Sequence, residues 1–193
     1  MKEYLFLYPI EEYVDNCIVH RTAGFEKGMY GFSYINKLIE VRYRDEGYGI
    51  NWLLFSLDTD VQKPHLDLVS RYIEIRKEDR ILNAGISFER HCKEKTYPNP
   101  NLVLDHLPQH KRLVLGGFHQ TDCVDRIART SYERGVDTFI DEDTTDNFFR
   151  ATSLGIRIPL ERNRWTLKGL GIPDNLMKMT REIRKNKPWL TQM

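Results

Sequence analysis

A cysteine at the start of a helix is the arrangement in this sequence that most directly suggests chemistry. Leu113-Val-Leu-Gly-Gly-Phe-His-Gln-Thr-Asp-Cys123-Val reads as a strand, a glycine-bearing turn and a helix, with Thr121 as the expected N-cap. Val124, Ile127, Ala128 and Ser131 recur at helical spacing, and Gly135 is placed to end the helix. A thiol in the first helical turn lies near backbone N–H groups that favour its thiolate, the nucleophilic form. The N–H groups of the turn at Gln120, Thr121 and Asp122 can also hold an oxyanion that forms beside the sulfur. Asp122 and Asp125 flank the thiol and oppose that charge. His119, between the strand end and the cysteine, is a candidate base. The same pattern fits an inert core cysteine, the commoner role of a free thiol, and local physics leaves both readings open.

The elements that must position this cysteine alternate. Apolar runs at Tyr4–Tyr8, Ile50–Leu57, Arg80–Ile86, Arg112–Leu115, Val136–Ile140 and Ile156–Ile158 read as strands. Helical patterns lie between them, at Ile35–Arg42, at Leu66–Ile73, in a short segment at Leu102–Leu107 and after Cys123. A further helix is expected at Asn175–Arg184. Such alternation implies a mostly parallel sheet with helices on both faces. Ligands of these sheets bind beyond the carboxyl ends of the strands, which directs attention to the loops at Pro9–Asp15, Asp58–His65, Gly85–Lys95, Gly117–Cys123 and Asp141–Asp146.

The chain has 193 residues, 40% hydrophobic and 30% charged, with a formal net charge of +1. That suits one domain over residues 1–193 with a sizeable core, the segment from about 160 being peripheral. With so little net charge, no global field recruits nucleic acid or an anionic membrane. The three cysteines form neither a disulfide framework nor a C-x-x-C pair. The apolar stretch before Pro9 is too short to span a membrane and lacks a signal-peptide cleavage site. A cytoplasmic protein is expected.

The run Gly117-Phe-His-Gln-Thr-Asp-Cys123-Val, then Gly135, then Asp143 after an apolar strand, resembles the nucleophile segment of isochorismatase-like cysteine hydrolases. In that family a strand ends in glycine, a cysteine follows six residues later, the helix closes at a glycine, and the next strand leads to an aspartate. The resemblance implies a three-layer, Rossmann-like α/β sandwich with a mostly parallel six-stranded sheet, and a homo-oligomer. It also implies a cis peptide at His119-Gln120 that helps form the oxyanion hole. The family's thiol is served by an aspartate base ending the first strand and a lysine after the third. Here the resemblance puts Pro9 at the aspartate and Glu11 two residues on, and Ile81–Phe88 contains no lysine; Lys77, Lys93 and Lys95 read as solvated charges. Glu11 or Glu12 could take the base role. Asp143 either orients site groups or caps the following segment. Nicotinamidase relatives hold a metal after the second strand; Asp58 and His65 are weak candidate ligands here, more simply read as a polar loop, so no cofactor is implied.

Two functions follow. One is hydrolysis of a small amide or related carbonyl compound by Cys123, with His119 or Glu11 as base. The other is a catalytically degenerate relative that keeps the fold for binding or assembly. The lean is towards a hydrolase of small molecules. Phosphate binding at Gly116-Gly117 ranks last, because neither G-x-G-x-x-G nor a P-loop is present.

Overall fold

Strand β1, Lys2–Leu7, is buried from Glu3 onward on both faces, the signature of a central strand in a parallel sheet. It belongs to a computed structural model that describes residues 1–14, 33–145, 148–151, 156–159 and 186–190; the side chains at 33, 34, 120, 121, 142, 143, 148–151 and 156–159 are not among those described. Parallel to β1 run β2 (Gly49–Ser56) and β4 (Arg112–Gly117), flanked by β3 (Arg80–Ser87) and β5 (Asp137–Thr145). The order is β3-β2-β1-β4-β5. The chain winds outward through β2 and β3, returns to β4, and winds the other way to β5. The switch point is therefore the gap between the carboxyl ends of β1 and β4, where ligands of open α/β sheets sit.

Helices cover both faces. Helix α1 (Ser33–Ile39) runs on into a π-helical turn, Glu40–Arg44, whose Tyr43 ring stacks on Tyr4 with centroids 4.1 Å apart. Helix α4 (Asp125–Glu133) buries Ile127, Ala128 and Ser131, and the Ser131 hydroxyl bonds that of Thr138 at 2.7 Å. Register aligns Glu3 with Leu113 and Leu113 with Thr138, so Thr138 lies on the face opposite Tyr4. Between β3 and β4 come α2 (Phe88–Glu94) and α3 (Pro100–Asp105). Helix α3 is tied to the end of α4 by Arg134, which pairs with Asp105 at 2.8 Å. The three-layer, parallel α/β architecture expected from the sequence is present.

Several local expectations change. Among the described residues the parallel sheet has five strands. The segment expected as the sixth strand, β7 (Ile156–Pro159), pairs antiparallel with β6 (Phe148–Ala151) in a separate ribbon. The helix expected over Leu66–Ile73 is only a 3₁₀ turn at Leu66–Leu68. Val69 bridges Ile10 instead, and the Ser70 N–H donates to the Pro9 carbonyl at 2.8 Å; a tertiary pairing of β-branched residues outweighs a weak helical period. Helix α2 was not anticipated, although Ser87 caps it through a bond from the Arg90 N–H. The expected helix at 175–184 lies outside the described residues. The end of the chain is not wholly peripheral. Trp189 and Leu190, in a 3₁₀ turn at Pro188–Leu190, are buried, and the Trp189 Nε1 donates to Asp125 at 2.8 Å. Among the described residues no helix is long and apolar enough to cross a membrane.

Candidate active site

The site begins where β4 touches β1. Gly117 has φ +98°, and a Cβ there would run into the Leu7 backbone, so this strand end requires glycine. The Phe118 N–H still donates to the Leu7 carbonyl at 3.1 Å. The chain leaves the sheet at the next residue, through a cis peptide at Phe118-His119. The cis bond expected at His119-Gln120 thus falls one residue earlier, because the ladder with β1 ends at Phe118.

Cys123 sits in a π-helical turn, Gln120–Val124, that precedes α4. The N-cap is His119, without a side-chain cap bond, rather than Thr121. The wider turn lets the His119 carbonyl accept from the N–H groups of Asp122 at 3.1 Å and Val124 at 3.2 Å, so a hydroxyl cap has no task there. The side chains of Gln120, Thr121 and Asp143 lie outside the described ones. Cys123 is 1% exposed. The two carboxylates that oppose a thiolate are both neutralised. Asp122 pairs with Arg126 at 3.0 Å, and Asp125 pairs with Lys187 at 2.7 Å while accepting from Trp189.

Phenols lie near the sulfur. Tyr8, the residue after β1, has φ +55° and is fully buried. Its ring stacks on Phe55 at 3.9 Å, with planes 5° apart, and its N–H continues the sheet by donating to the Leu53 carbonyl. Burial first, then the neighbouring Cys123 thiol and Tyr13, push the Tyr8 phenol well above its ordinary pKa of 10.0. Tyr13 is raised in the same way, by burial and by the thiols of Cys92 and Cys123. Burial also pushes the Cys92 thiol up, against the Tyr13 hydroxyl that favours its ionisation.

The expected bases separate. His119 is half-buried with its ring 4.8 Å from that of Tyr13, which places it in the cysteine cluster. Glu11 and Glu12 are exposed in the helical turn after β1. Lys93 is held by Glu89 at 2.5 Å on the surface. Arg126 is a cation on the rim of the site, 4.1 Å above the Tyr97 ring and within electrostatic reach of Cys123. Asp58 is exposed and His65 half-buried, and among the described residues no three His, Cys, Asp or Glu side chains cluster to hold a metal.

Sequence reasoning missed Tyr8, Tyr13 and, in part, His91. His91 is buried, with Nδ1 2.8 Å from the Thr96 carbonyl; that bond assigns the proton to Nδ1 and leaves Nε2 as the basic nitrogen. Its ring lies 5.9 Å from Tyr8 and 5.4 Å from Tyr97. The available signal was the excess of aromatics in the loops after β1 and β3, which periodicity assigns to packing.

Among solved structures, the chain is similar to an isochorismatase from Pseudomonas putida, with a TM-score of 0.55 and 14% identity over 96% of this chain and 84% of that one. It is less closely similar to an isochorismatase-family protein from Chromobacterium violaceum (TM-score 0.48, 12% identity, 96% and 86% covered). The pyrazinamidase of Pyrococcus horikoshii, solved with zinc, is similar at TM-score 0.45 and 11% identity over 76% of this chain and 87% of that one. The first likeness establishes the fold as isochorismatase-like. No family model matches the sequence, and no curated protein matches it.

Proposed function

We propose that this protein is a cysteine hydrolase that acts on a small amide or related carbonyl compound through Cys123. The observation that carries the reading is the placement of Cys123, at the switch point of an isochorismatase-like sheet with both flanking carboxylates neutralised. His119 is favoured over the exposed Glu11 as the base. In this reading His119 takes the thiol proton, the thiolate attacks the carbonyl carbon, and N–H groups of the 119–123 turn hold the oxyanion. The amine leaves with the proton from His119, and water then hydrolyses the thioester, returning the proton to the sulfur. Asp143 keeps a supporting role, and the chain acts as one domain that assembles as a homo-oligomer.

Peptide-resolved labelling with iodoacetamide from pH 5 to 10 tests this. The reading expects a Cys123 pKa below that of an ordinary thiol, about 8.5, and loss of amide hydrolysis in Cys123→Ser. A pKa of about 8.5 or higher overturns it.

The second reading, a fold retained for binding, is favoured by the character of the sulfur's neighbours. Among the described residues, the phenols of Tyr8 and Tyr13 stand beside it. Retention of a small-molecule ligand with unchanged affinity in Cys123→Ser, and no turnover by the wild type, would select it.

A further inference from the structure

Tyr8 has an incomplete environment. Its ring is fixed on both sides of the strand end, by the stack on Phe55 and by His91. Its hydroxyl is buried, yet it makes no hydrogen bond among the described residues. A buried hydroxyl without a partner costs about 1–3 kcal/mol, and native structures keep few of them. The thiol of Cys123 lies beside this oxygen without a hydrogen bond of regular geometry. A protonated thiol is a weak acceptor, so the cost stays uncompensated while the sulfur is neutral. A thiolate is a charged acceptor, and a bond to it is shorter and about twice as strong as a neutral one.

We infer that Tyr8 donates its hydroxyl hydrogen to the Cys123 sulfur when that sulfur is ionised, so that a neutral phenol serves as a partner of the thiolate. The inference deepens the hydrolase reading and rests on it for its role in turnover. The direction of donation follows from the chemistry of the site. Burial keeps the phenol protonated at any pH where a thiol titrates, so Tyr8 cannot accept the thiol proton and is not the base. That proton goes to His119 during turnover, or to solvent in a labelling experiment, and Tyr8 keeps its own. Once the sulfur is acylated it accepts poorly again, and the hydroxyl is released, ready to renew the bond when the thiolate departs. Tyr8 is therefore a positioning residue that acts through the sulfur.

Other ionisable groups face the same volume. Tyr13 comes from the turn after β1, His91 and Cys92 from α2, Tyr97 from the α2–α3 connection, and Asp122 and Arg126 from the cysteine's own segment. None of them shares the combination found at Tyr8, a completely buried hydroxyl beside the sulfur with no other partner.

The test is Tyr8→Phe, which deletes one oxygen and keeps the ring stack. Iodoacetamide labelling of Cys123, resolved by peptide mass spectrometry from the other cysteines, is followed from pH 5 to 10 in the full-length wild type and variant. The inference expects the apparent pKa of Cys123 to rise by about one unit, a roughly tenfold loss of thiolate below the pKa. Thermal stability should hold or increase, because an unsatisfied oxygen has been removed. A merely structural Tyr8 would change stability and leave the titration alone. An unchanged or lowered Cys123 pKa in Tyr8→Phe overturns the inference, whatever the wild-type value. If the wild-type pKa lies at or above about 8.5 and Tyr8→Phe raises it further, the Tyr8 bond stands and the hydrolase reading falls. Should the variant fold poorly, Tyr8→Leu and the Phe55→Leu variant, which loosens the stack but keeps the hydroxyl, separate the two effects. Loss of the pKa depression in the former and its retention in the latter support the inference, and the reverse overturns it.

Discussion

Two buried polar regions of this molecule treat charge differently. Beside α1, Asp79 accepts from Arg44 at 2.5 and 2.6 Å, from the Trp52 Nε1 at 2.8 Å and from the Arg76 N–H at 2.9 Å. Towards the other edge of the sheet, Asp141 on β5 takes the Tyr43 hydroxyl at 2.5 Å and Arg42 at 3.2 Å. Charge is buried there and its carboxylate oxygens are occupied, although among the described residues the hydroxyl of Tyr4, stacked on Tyr43, makes no hydrogen bond. At the carboxyl ends of β1 and β4 phenols and thiols gather beside the Asp122–Arg126 pair, and the Tyr8 hydroxyl is left without a bond among the described residues. Ordinary folding pressure saturates a buried carboxylate, because leaving it bare costs several kcal/mol. A neutral hydroxyl costs less to leave unsatisfied, so that is where a site can keep bonding capacity in reserve for a group that becomes charged only during reaction.

The sharpest way to break the contrast is at the backbone that brings the site together. Gly117→Ala must take a residue with a Cβ to φ +98° and into the Leu7 backbone. It should lose about 4 kcal/mol or more of unfolding free energy, or fail to fold, in urea titration; a loss under about 1 kcal/mol would mean that β4 and β1 are not held this closely. Next in size is Asp79→Ala on the saturated side. It removes the shortest partner of Arg44, whose side chain is 12% exposed, and the acceptor of the Trp52 Nε1 and the Arg76 N–H, and should cost about 3–4 kcal/mol. Burial pushes the Asp79 carboxyl up, but the bonds from Arg44, Arg76 and Trp52 outweigh it and hold the group below the ordinary carboxylate range. A depressed carboxyl stabilises the fold above the unfolded-state value of about 3.9 and ceases to as pH falls through the lower folded-state value. The stability gap between wild type and Asp79→Asn should therefore be constant above about pH 5 and narrow under acid. Trp189→Ala should cost about 3 kcal/mol and free Asp125 from its Nε1 bond, which checks that the chain's end is docked beside the cysteine helix.

The two clusters were not equally legible. The saturated side chains come from β2, β5, the turn after α1 and the residue before β3, and which arginine meets which aspartate depends on register across those segments. At the thiol end, the Gly117–Cys123–Gly135 spacing marked the strand, turn and helix, and the structure keeps that order. Tyr8 was invisible for a physical reason. A tyrosine that ends an apolar strand looks like core, and only the left-handed backbone at a non-glycine residue, the stack on Phe55 and the return of β4 make it a neighbour of Cys123. The same long-range pairing hid the fate of Val69 and Ser70, which meet Ile10 and Pro9 in place of forming a helix. The docking of Trp189 could not be read at all, because a single aromatic near the end of a chain has no period.

The smallest expected effect on stability sharpens the contrast most finely. Arg126 lies on the rim, its side chain 53% exposed, paired with Asp122 and stacked over Tyr97. An exposed pair of this kind is worth about 0–1 kcal/mol, so Arg126→Met should barely move the unfolding midpoint. Its effect on the thiol should be visible, because Asp122 recovers an uncompensated charge next to Cys123. At low salt, labelling at neutral pH should slow by about two- to threefold, on the order of 0.5 kcal/mol. In about 1 M salt, where the screening length falls to about 3 Å, that difference should vanish. The Tyr8→Phe effect should persist there, since a buried contact is screened much less. If salt erased both differences alike, the sulfur would be sensing only the charge around its rim, and the reserve of bonding assigned to the buried hydroxyl would have no role.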